Sequence, residues 1–105
     1  MKRIAIASEG KDINANLAYR AGMCRWFCIL HPDGKISFLE NPGYLADAAF
    51  GFHAFKFLES QNVNTIVARF FGPRFQELSR ETGINLIVPP PHIYKVRGII
   101  ESFNS

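Results

Sequence analysis

Short apolar runs alternate with polar segments containing glycine or proline along the whole chain, and this pattern predicts five strands and three helices. The second and third runs form a hairpin, because Pro32, Asp33 and Gly34 between them supply the backbone angles of a tight turn. The fourth run is short, apolar and β-branched, which is typical of a strand buried on both faces. The predicted strands are residues 3–7, 26–30, 35–40, 65–68 and 84–88.

The first predicted helix covers residues 47–60 and has a broad apolar surface. One apolar stripe has the spacing i, i+3, i+4, i+7, and a second stripe runs beside it, so the helix has more apolar surface than one sheet face needs. The excess is expected to cover a ligand cleft or a contact between subunits. The first stripe is Gly51, Ala54, Phe55 and Leu58, and the second is Phe50, His53 and Phe57.

Two more helices are predicted in the second half of the chain. One begins at Gly72 and Pro73, because proline suits the first helical position, where an N–H would have no intrahelical partner. It ends with Arg80 in its last turn and Gly83 as a left-handed stop. The other covers residues 92–103, after three prolines, and its apolar side consists of Ile93, Val96, Ile100 and Phe103.

The order of these elements predicts an α/β fold. The hairpin makes the first three strands antiparallel, and each right-handed helical crossover returns a strand parallel to its predecessor. The simplest assembly is one mixed five-stranded sheet in the order 3-2-1-4-5, a ribonuclease H-like, three-layer arrangement in a single domain of residues 1–105. This order places the carboxyl ends of the first and fourth strands side by side, where open α/β sheets bind ligands.

Composition and charge limit the function. A chain of 105 residues with 48% hydrophobic content is expected to bury a core without covalent cross-links. A net charge of +3 permits an anionic ligand. It does not require nucleic acid, because proteins that bind nucleic acids usually have a clustered basic stripe. The apolar run after Met1 is too short for a signal peptide, and no run is long enough to span a membrane. We therefore expect no membrane association.

The chain has two cysteines, Cys24 and Cys28. In an extended segment they would lie roughly 13 Å apart, which is too far for a disulfide. Two cysteines are also too few for a structural zinc site. The sequence therefore predicts a reduced chain in the cytoplasm.

The turn before the second helix is the main candidate site. A helix N-terminus at a strand's carboxyl end presents free N–H groups, and such groups attract anions. Arg69 and Arg74 flank Gly72, and guanidinium groups bind oxyanions with two hydrogen bonds. A solvated helix entrance is the alternative. Ser8 and the loop of residues 11–25 are expected to meet this turn, and the loop is either functional or a disordered excursion.

Cys24 and His53 are the candidate metal ligands. As a thiolate, with Arg20 and Arg25 near it in sequence to lower its pKa, Cys24 would ligate a cluster iron. The alternative is a small, half-buried apolar side chain. A neutral His53 imidazole suits iron or copper, but no second ligand follows at helical spacing, so a packed histidine is the alternative.

The predicted fold also occurs in nucleases, whose two-metal chemistry needs several converging carboxylates. Glu9 ends the first strand, but Arg69 stands after the fourth strand, where an acid would be needed. The sequence has no Walker loop and no dinucleotide fingerprint. We therefore expect a binding protein and not an enzyme.

Several short segments occur in a recognisable order. They are Ile-Ala-Ile-Ala-Ser-Glu-Gly at 4–10, Ala-Gly-Met-Cys-Arg-Trp-Phe at 21–27, Glu-Asn-Pro at 40–42, the helix around Gly51, Phe-Gly-Pro at 71–73 and Thr-Gly-Ile at 82–84. In order and spacing the chain resembles the dinitrogenase iron-molybdenum cofactor biosynthesis family over almost its whole length.

The resemblance implies a small ribonuclease H-like domain that binds or carries an iron–sulfur or iron-molybdenum cluster precursor, or has a related accessory role. The expected partner is then an anionic cluster or a small anion. Two alternatives remain: a protein-interaction or homo-oligomerisation module, and a domain that binds an oxyanion metabolite without a cluster. The predicted site residues are Ser8, Arg20, Cys24, Arg69, Gly72 and Arg74, with His53 as a further metal ligand.

Overall fold

Five strands and three α-helices build the part of the chain that the computed structural model describes, residues 3–46 and 48–104. A short 3₁₀ helix follows the third strand, where the sequence predicts only a break. In chain order the elements are β1 (Ile4–Ser8), β2 (Trp26–Leu30), β3 (Ile36–Glu40), the 3₁₀ helix (Pro42–Leu45), α1 (Phe50–Ser60), β4 (Thr65–Val67), α2 (Pro73–Thr82), β5 (Asn85–Ile87) and α3 (Val96–Asn104).

The sheet has the order β3-β2-β1-β4-β5, which confirms the predicted topology. β1, β2 and β3 pair antiparallel, while β4 pairs parallel with both β1 and β5. Ser8 at the end of β1 faces Trp26 at the start of β2. The carboxyl ends of β1 and β4 therefore lie at the same edge as the start of β2, and this edge carries the candidate site.

Two apolar cores cover the two faces of the sheet, giving three layers. Successive strand residues point to opposite faces, so Ala5 and Ala7 belong to the core under α1 and α2, while Ile4 and Ile6 belong to the core under α3. The two alanines have small side chains, which leaves room for large rings on that face. Three fully or almost fully buried rings belong to it: Phe27, Phe55 and Phe75.

α1 begins later than predicted. Its N-cap is Ala49, whose backbone is left-handed with φ 58°, so the helix starts at Phe50 and the helical prediction for residues 48 and 49 is wrong. Asp47, the predicted first residue, lies outside the described residues. The first apolar stripe is confirmed as the buried face, because Ala54, Phe55 and Leu58 are buried.

The second stripe of α1 does not form one free apolar surface. Phe57 is half-buried and packs against the core, Phe50 is half-buried, and His53 is exposed. α2 has the predicted ends: Pro73 is its first residue, and Gly83 has φ 79° with its N–H bonded to Ser79 O at 2.8 Å.

α3 begins at Val96, four residues later than predicted. The residues before it pair with another segment instead of coiling: Leu17 N–H donates to Tyr94 O at 2.8 Å, and Val96 N–H donates to Ala15 O at 3.0 Å. These tertiary hydrogen bonds compete with the first helical turn and prevent it. No helix in residues 3–46 and 48–104 is long and apolar enough to cross a membrane.

Candidate functional site

The long loop between β1 and β2 lies across the carboxyl ends of β1 and β4. Ser8 forms an antiparallel bridge with Leu17, and Arg20 forms a parallel bridge with Phe70. Phe70 N–H donates to Tyr19 O at 2.7 Å, which continues the pairing beyond β4. The loop backbone is therefore held on both sides, and the alternative of a disordered excursion is wrong.

Two helix N-termini meet this loop at one small cavity. α1 contributes Phe50 and Gly51, and α2 contributes Gly72, Pro73 and Arg74, to the lining of a volume of about 170 Å³. The first-turn N–H groups of an α-helix have no intrahelical acceptor and carry partial positive charge. Within the described residues, neither helix has a side-chain cap hydrogen bond or an acidic residue in its first turn. Hence no carboxylate of either first turn offsets this positive potential.

Three glycines permit close approaches to the start of α1: Gly22 and Gly51, which line this cavity, and Gly43 in the 3₁₀ helix beside it. A Cβ on Gly22 would lie 3.1 Å from Gly51 Cα, and a Cβ on Gly43 would lie 2.6 Å from Phe50 O. A larger residue at Gly22 would push the loop away from the start of α1, and one at Gly43 would push the 3₁₀ helix away from it. The arrangement follows from tertiary contact, and sequence reasoning did not find it.

Cys24 lies near the end of the loop and is buried, with an exposed fraction of 6%. Its thiol donates to Ala21 O at 3.4 Å, and the Asn41 side-chain amide lies 3.9 Å from the sulfur. Burial raises the pKa of Cys24 from 9.0 to about 12, against the opposing effect of hydrogen bonds from the Ser8 backbone and the Asn41 side chain. The thiol is therefore protonated at neutral pH, as the apolar alternative predicted, and Arg20 and Arg25 do not make it a thiolate.

Asn41 is the organising residue that sequence reasoning missed. It is 1% exposed, and its Nδ2 donates to Cys24 O at 2.7 Å and to Gly22 O at 3.3 Å. Its Oδ1 accepts from Gly43 N at 2.8 Å and caps the 3₁₀ helix. An asparagine just before Pro-Gly is a capping signal, but its bonds to the loop depend on the hairpin bringing both segments together.

A larger groove adjoins the cavity and shares Arg20 and Met23 with it. Its volume is about 610 Å³, and Cys24 forms part of its lining. Four large apolar side chains at the groove and the cavity are more than a third exposed: Tyr19 at 62%, Met23 at 52%, Tyr44 at 43% and Phe70 at 38%. We call these four residues, three of which are aromatic, the aromatic rim.

Two arginines lie against the aromatic rim. The Arg20 guanidinium lies 5.1 Å from the ring centroid of Phe70, and the Arg25 guanidinium lies 5.6 Å from that of Tyr44. Tyr19 and Phe70 stack in parallel with centroids 5.9 Å apart. Arg25 also pairs with Glu40 at 3.5 Å. The rim thus combines exposed rings with cationic groups.

The structure brings together only some of the predicted site residues. Arg20 and Gly72 line the cavity. Arg74 lines it as well, but its Nη1 lies 2.9 Å from Glu77 Oε1. Ser8 is buried beneath the loop and bonds Gly10 through its hydroxyl.

Arg69 and His53 lie elsewhere. The Arg69 guanidinium donates to backbone carbonyls of the segment after β5, beginning with Pro89 O at 2.8 Å. His53 is exposed on α1. Among the described residues, no group of three or more His, Cys, Asp or Glu side chains is placed to hold a metal ion.

Comparison with known proteins agrees with this fold. A family model described as "Dinitrogenase iron-molybdenum cofactor" matches residues 2–105. The apo form of the orange protein from Desulfovibrio gigas superposes with a TM-score of 0.87 at 19% identity, covering 99% of this chain and 88% of that one. A putative NifB protein from Thermotoga superposes with a TM-score of 0.75 at 24% identity, with coverage of 99% and 88%. No curated protein matches the sequence.

Proposed function

The chain belongs to the dinitrogenase iron-molybdenum cofactor family, and from this premise we propose that it is a small accessory protein that binds an anionic metal-cluster precursor. The proposed site is the cavity between Arg20 and the Gly72–Pro73 start of α2. The observation that carries the proposal is the convergence on this cavity of two helix N-termini and the Arg20 side chain, which forms no ion pair with another described residue.

The cysteines do not fit a cluster ligated by protein thiolates. Iron–sulfur clusters are held by cysteine thiolates, commonly four, and this chain has two cysteines. Cys24 is buried with its pKa raised to about 12, and Cys28 is fully buried in the core on the opposite face of the sheet. The two sulfurs therefore cannot serve one cluster, and the cargo would be held through charge and hydrogen bonds.

The cavity has the donors for such binding. First-turn N–H groups of α1 and α2 supply partial positive charge, and Arg20 supplies a full charge. Its guanidinium lies against the Phe70 ring and forms none of the ion pairs in the described part of the chain. Charge-assisted hydrogen bonds to an anion are roughly twice as strong as neutral ones. A volume of about 170 Å³ fits an anion the size of a tetrahedral oxyanion or the edge of a larger cluster.

Titration with molybdate, sulfate, phosphate and anaerobic cluster donors tests this proposal. We expect Arg20→Ala to weaken binding by about 1–3 kcal/mol. Arg74→Ala should weaken it less, because Glu77 already partners that guanidinium. Arg80→Ala, an exposed arginine at the other end of α2, is the matched control and should bind like the wild type. Equal affinities in all four proteins would rule out this cavity.

Cys24→Ser separates a cargo held by charge from one ligated by sulfur. We expect the variant to keep wild-type affinity for the anion. Anaerobic reconstitution with iron and sulfide counted per chain is the second measurement. Loss of bound iron in Cys24→Ser alone would mean that the loop opens to expose a thiolate, contrary to the proposal. Binding of simple oxyanions without any cluster donor would favour the oxyanion-metabolite alternative.

The aromatic rim favours a second candidate function, the docking of a protein partner. Exposed Tyr, Met and Arg are the residue types enriched at protein interfaces. Two copies meeting rim to rim would bring Arg20 and Arg25 of both chains together, which disfavours a second copy. We therefore propose a partner with acidic side chains around an apolar centre, placed to deliver or receive the cargo.

A photo-reactive phenylalanine at position 44 tests this docking surface, with the same group at position 103 as the control. Phe103 is exposed at the end of α3 and lines a different cavity, beside Leu30 and His31. We expect one partner to be captured at position 44 only. Once purified, that partner should bind the wild type and lose affinity on Arg20→Glu and Tyr44→Ala. Equal capture at both positions would contradict a specific surface.

A further inference from the structure

Arg69 uses its guanidinium to hold one backbone segment. Nη1 donates to Pro89 O at 2.8 Å and Pro90 O at 3.2 Å, and Nη2 donates to Pro91 O at 3.3 Å. Nη2 also donates to Ile93 O. The group thus has four backbone acceptors, all within residues 89–93. It forms none of the ion pairs in the described part of the chain.

The Arg69 guanidinium and the segment of three prolines have complementary hydrogen-bonding groups. A proline has a carbonyl acceptor but no N–H donor, and a guanidinium has five N–H donors and no acceptor. Three consecutive prolines therefore cannot donate backbone hydrogen bonds to one another's carbonyls. Arg69 therefore supplies donors to Pro89 O and Pro91 O, and a second donor to Pro90 O, which also accepts from Ile93 N–H at 3.0 Å.

The held segment continues directly into a second contact, with the loop of residues 11–25 between β1 and β2, which we call the site loop. Leu17 N–H donates to Tyr94 O, Val96 N–H donates to Ala15 O at 3.0 Å, and Arg97 N–H donates to Ile13 O at 2.8 Å. The same loop meets the Arg69 backbone on its other side, where Arg69 N–H lies 3.4 Å from Ala18 O. The loop is thus enclosed between the backbone of Arg69 and the segment that the Arg69 side chain holds.

We infer that Arg69 is a positioning residue that places the loop of residues 13–21, and with it Arg20, at the mouth of the site cavity. The side chain acts through the segment of residues 89–97. Its guanidinium N–H groups donate to backbone carbonyls and not to a bound anion. The effect on anion binding rests on the proposed function. The effect on the position of the loop does not depend on it.

Amide hydrogen exchange tests the structural part. In Arg69→Ala we expect the amides of Leu17, Val96 and Arg97 to exchange faster by about tenfold or more. The segment that accepts from Leu17 and carries the Val96 and Arg97 amides loses the hydrogen bonds that hold it. The amides of Ala5 and Ile66 in the central strands should change much less. Arg80→Ala is the matched control and should leave all five amides unchanged. Unchanged exchange at Leu17 and Val96 in Arg69→Ala would overturn the inference.

Chemical rescue separates positioning from direct contact with the anion. Millimolar propylguanidinium should slow exchange at Leu17 in Arg69→Ala and restore its affinity for molybdate, but should restore nothing in Arg20→Ala. If Arg69 contacted the anion directly, Arg69→Ala would bind molybdate more weakly without faster amide exchange at Leu17. If the wild type binds no molybdate, the proposed function fails while the exchange result still decides the role of Arg69. If Arg69→Ala does not fold, Arg69→Lys replaces it: lysine reaches fewer carbonyls, so the Leu17 and Val96 amides must exchange faster in this variant than in the wild type.

Discussion

The side-chain amide of Asn41 donates a 2.7 Å hydrogen bond to the backbone carbonyl of Cys24, joining the end of β3 to the start of β2 above the site. The contact is fully buried, and the same Nδ2 reaches the Cys24 sulfur at 3.9 Å. One amide therefore fixes both the loop backbone and the environment of the thiol.

Removing this amide should be costly. We expect Asn41→Ala to lower the free energy of unfolding by about 2–4 kcal/mol, because buried partners on Gly22, Cys24 and Gly43 lose their hydrogen bonds. Urea denaturation measures the change. Asn85→Ala, an exposed asparagine on the edge strand β5, is the control and should stay within about 0.5 kcal/mol of the wild type. A similar small change in Asn41→Ala would contradict the organising role.

Gly43 should not accept a side chain. An added Cβ would lie 2.6 Å from Phe50 O, so Gly43→Ala must push the 3₁₀ helix away from α1. We expect a loss of about 1–3 kcal/mol in the free energy of unfolding. Gly72→Ala is the matched control, since its backbone has φ −68° and no atom lies within 4 Å of an added Cβ. Thermal denaturation of the two variants should separate them clearly.

Stability should fall at alkaline pH because of the thiols. Burial raises the pKa of both Cys24 and Cys28 from 9.0 to about 12, so the unfolded chain loses these protons at lower pH than the folded chain. The stabilisation is complete below pH 9.0 and is lost as the pH rises toward about 12. The slope should approach about 1.4 kcal/mol per pH unit for each thiol.

Urea denaturation at a series of pH values measures this slope. Cys28→Ala should have a shallower dependence than the wild type over the same pH range. Rapid alkylation of Cys24 by iodoacetamide at neutral pH in the folded protein would contradict a buried, protonated thiol.

We expect no ribonuclease H-type activity. Arg69, two residues after β4, stands where a carboxylate would be needed, and its guanidinium is bound to backbone carbonyls. An RNA–DNA hybrid incubated with magnesium or manganese should stay intact. Cleavage that disappears in Glu9→Gln would show that a catalytic centre forms around the end of β1 after all.

Self-association through α1 is still a prediction. Phe50 lies at the start of the helix, half-buried, and Phe57 packs against the core, so any dimer through this face would depend chiefly on Phe50. Phe50→Glu should then dissociate it. Light scattering at high micromolar concentration measures the mass, and a monomeric wild type would end this hypothesis.

The sequence by itself determined the topology and the place of the site. Period-two and helical apolar patterns, the Pro32–Gly34 turn and right-handed crossovers leave one simple sheet order, which the structure has. The same order places the ends of β1 and β4 together, so the edge that carries the candidate site follows from local pattern alone. Gly72–Pro73 and Gly83 likewise marked the ends of α2, because capping depends on residues close in sequence.

Only the tertiary structure decided what each side chain does at that edge. Arg69 and Arg74 flank the same turn in sequence, yet one guanidinium binds the carbonyls of residues 89–93 and the other pairs with Glu77. The protonation of Cys24 depends on its burial, and the start of α3 depends on pairing with the site loop. Apart from the Arg74–Glu77 pair, which lies within α2, each of these outcomes is a competition between a local preference and partners distant in the chain. Local sequence cannot decide it, because those partners come within hydrogen-bonding distance only after the sheet has formed.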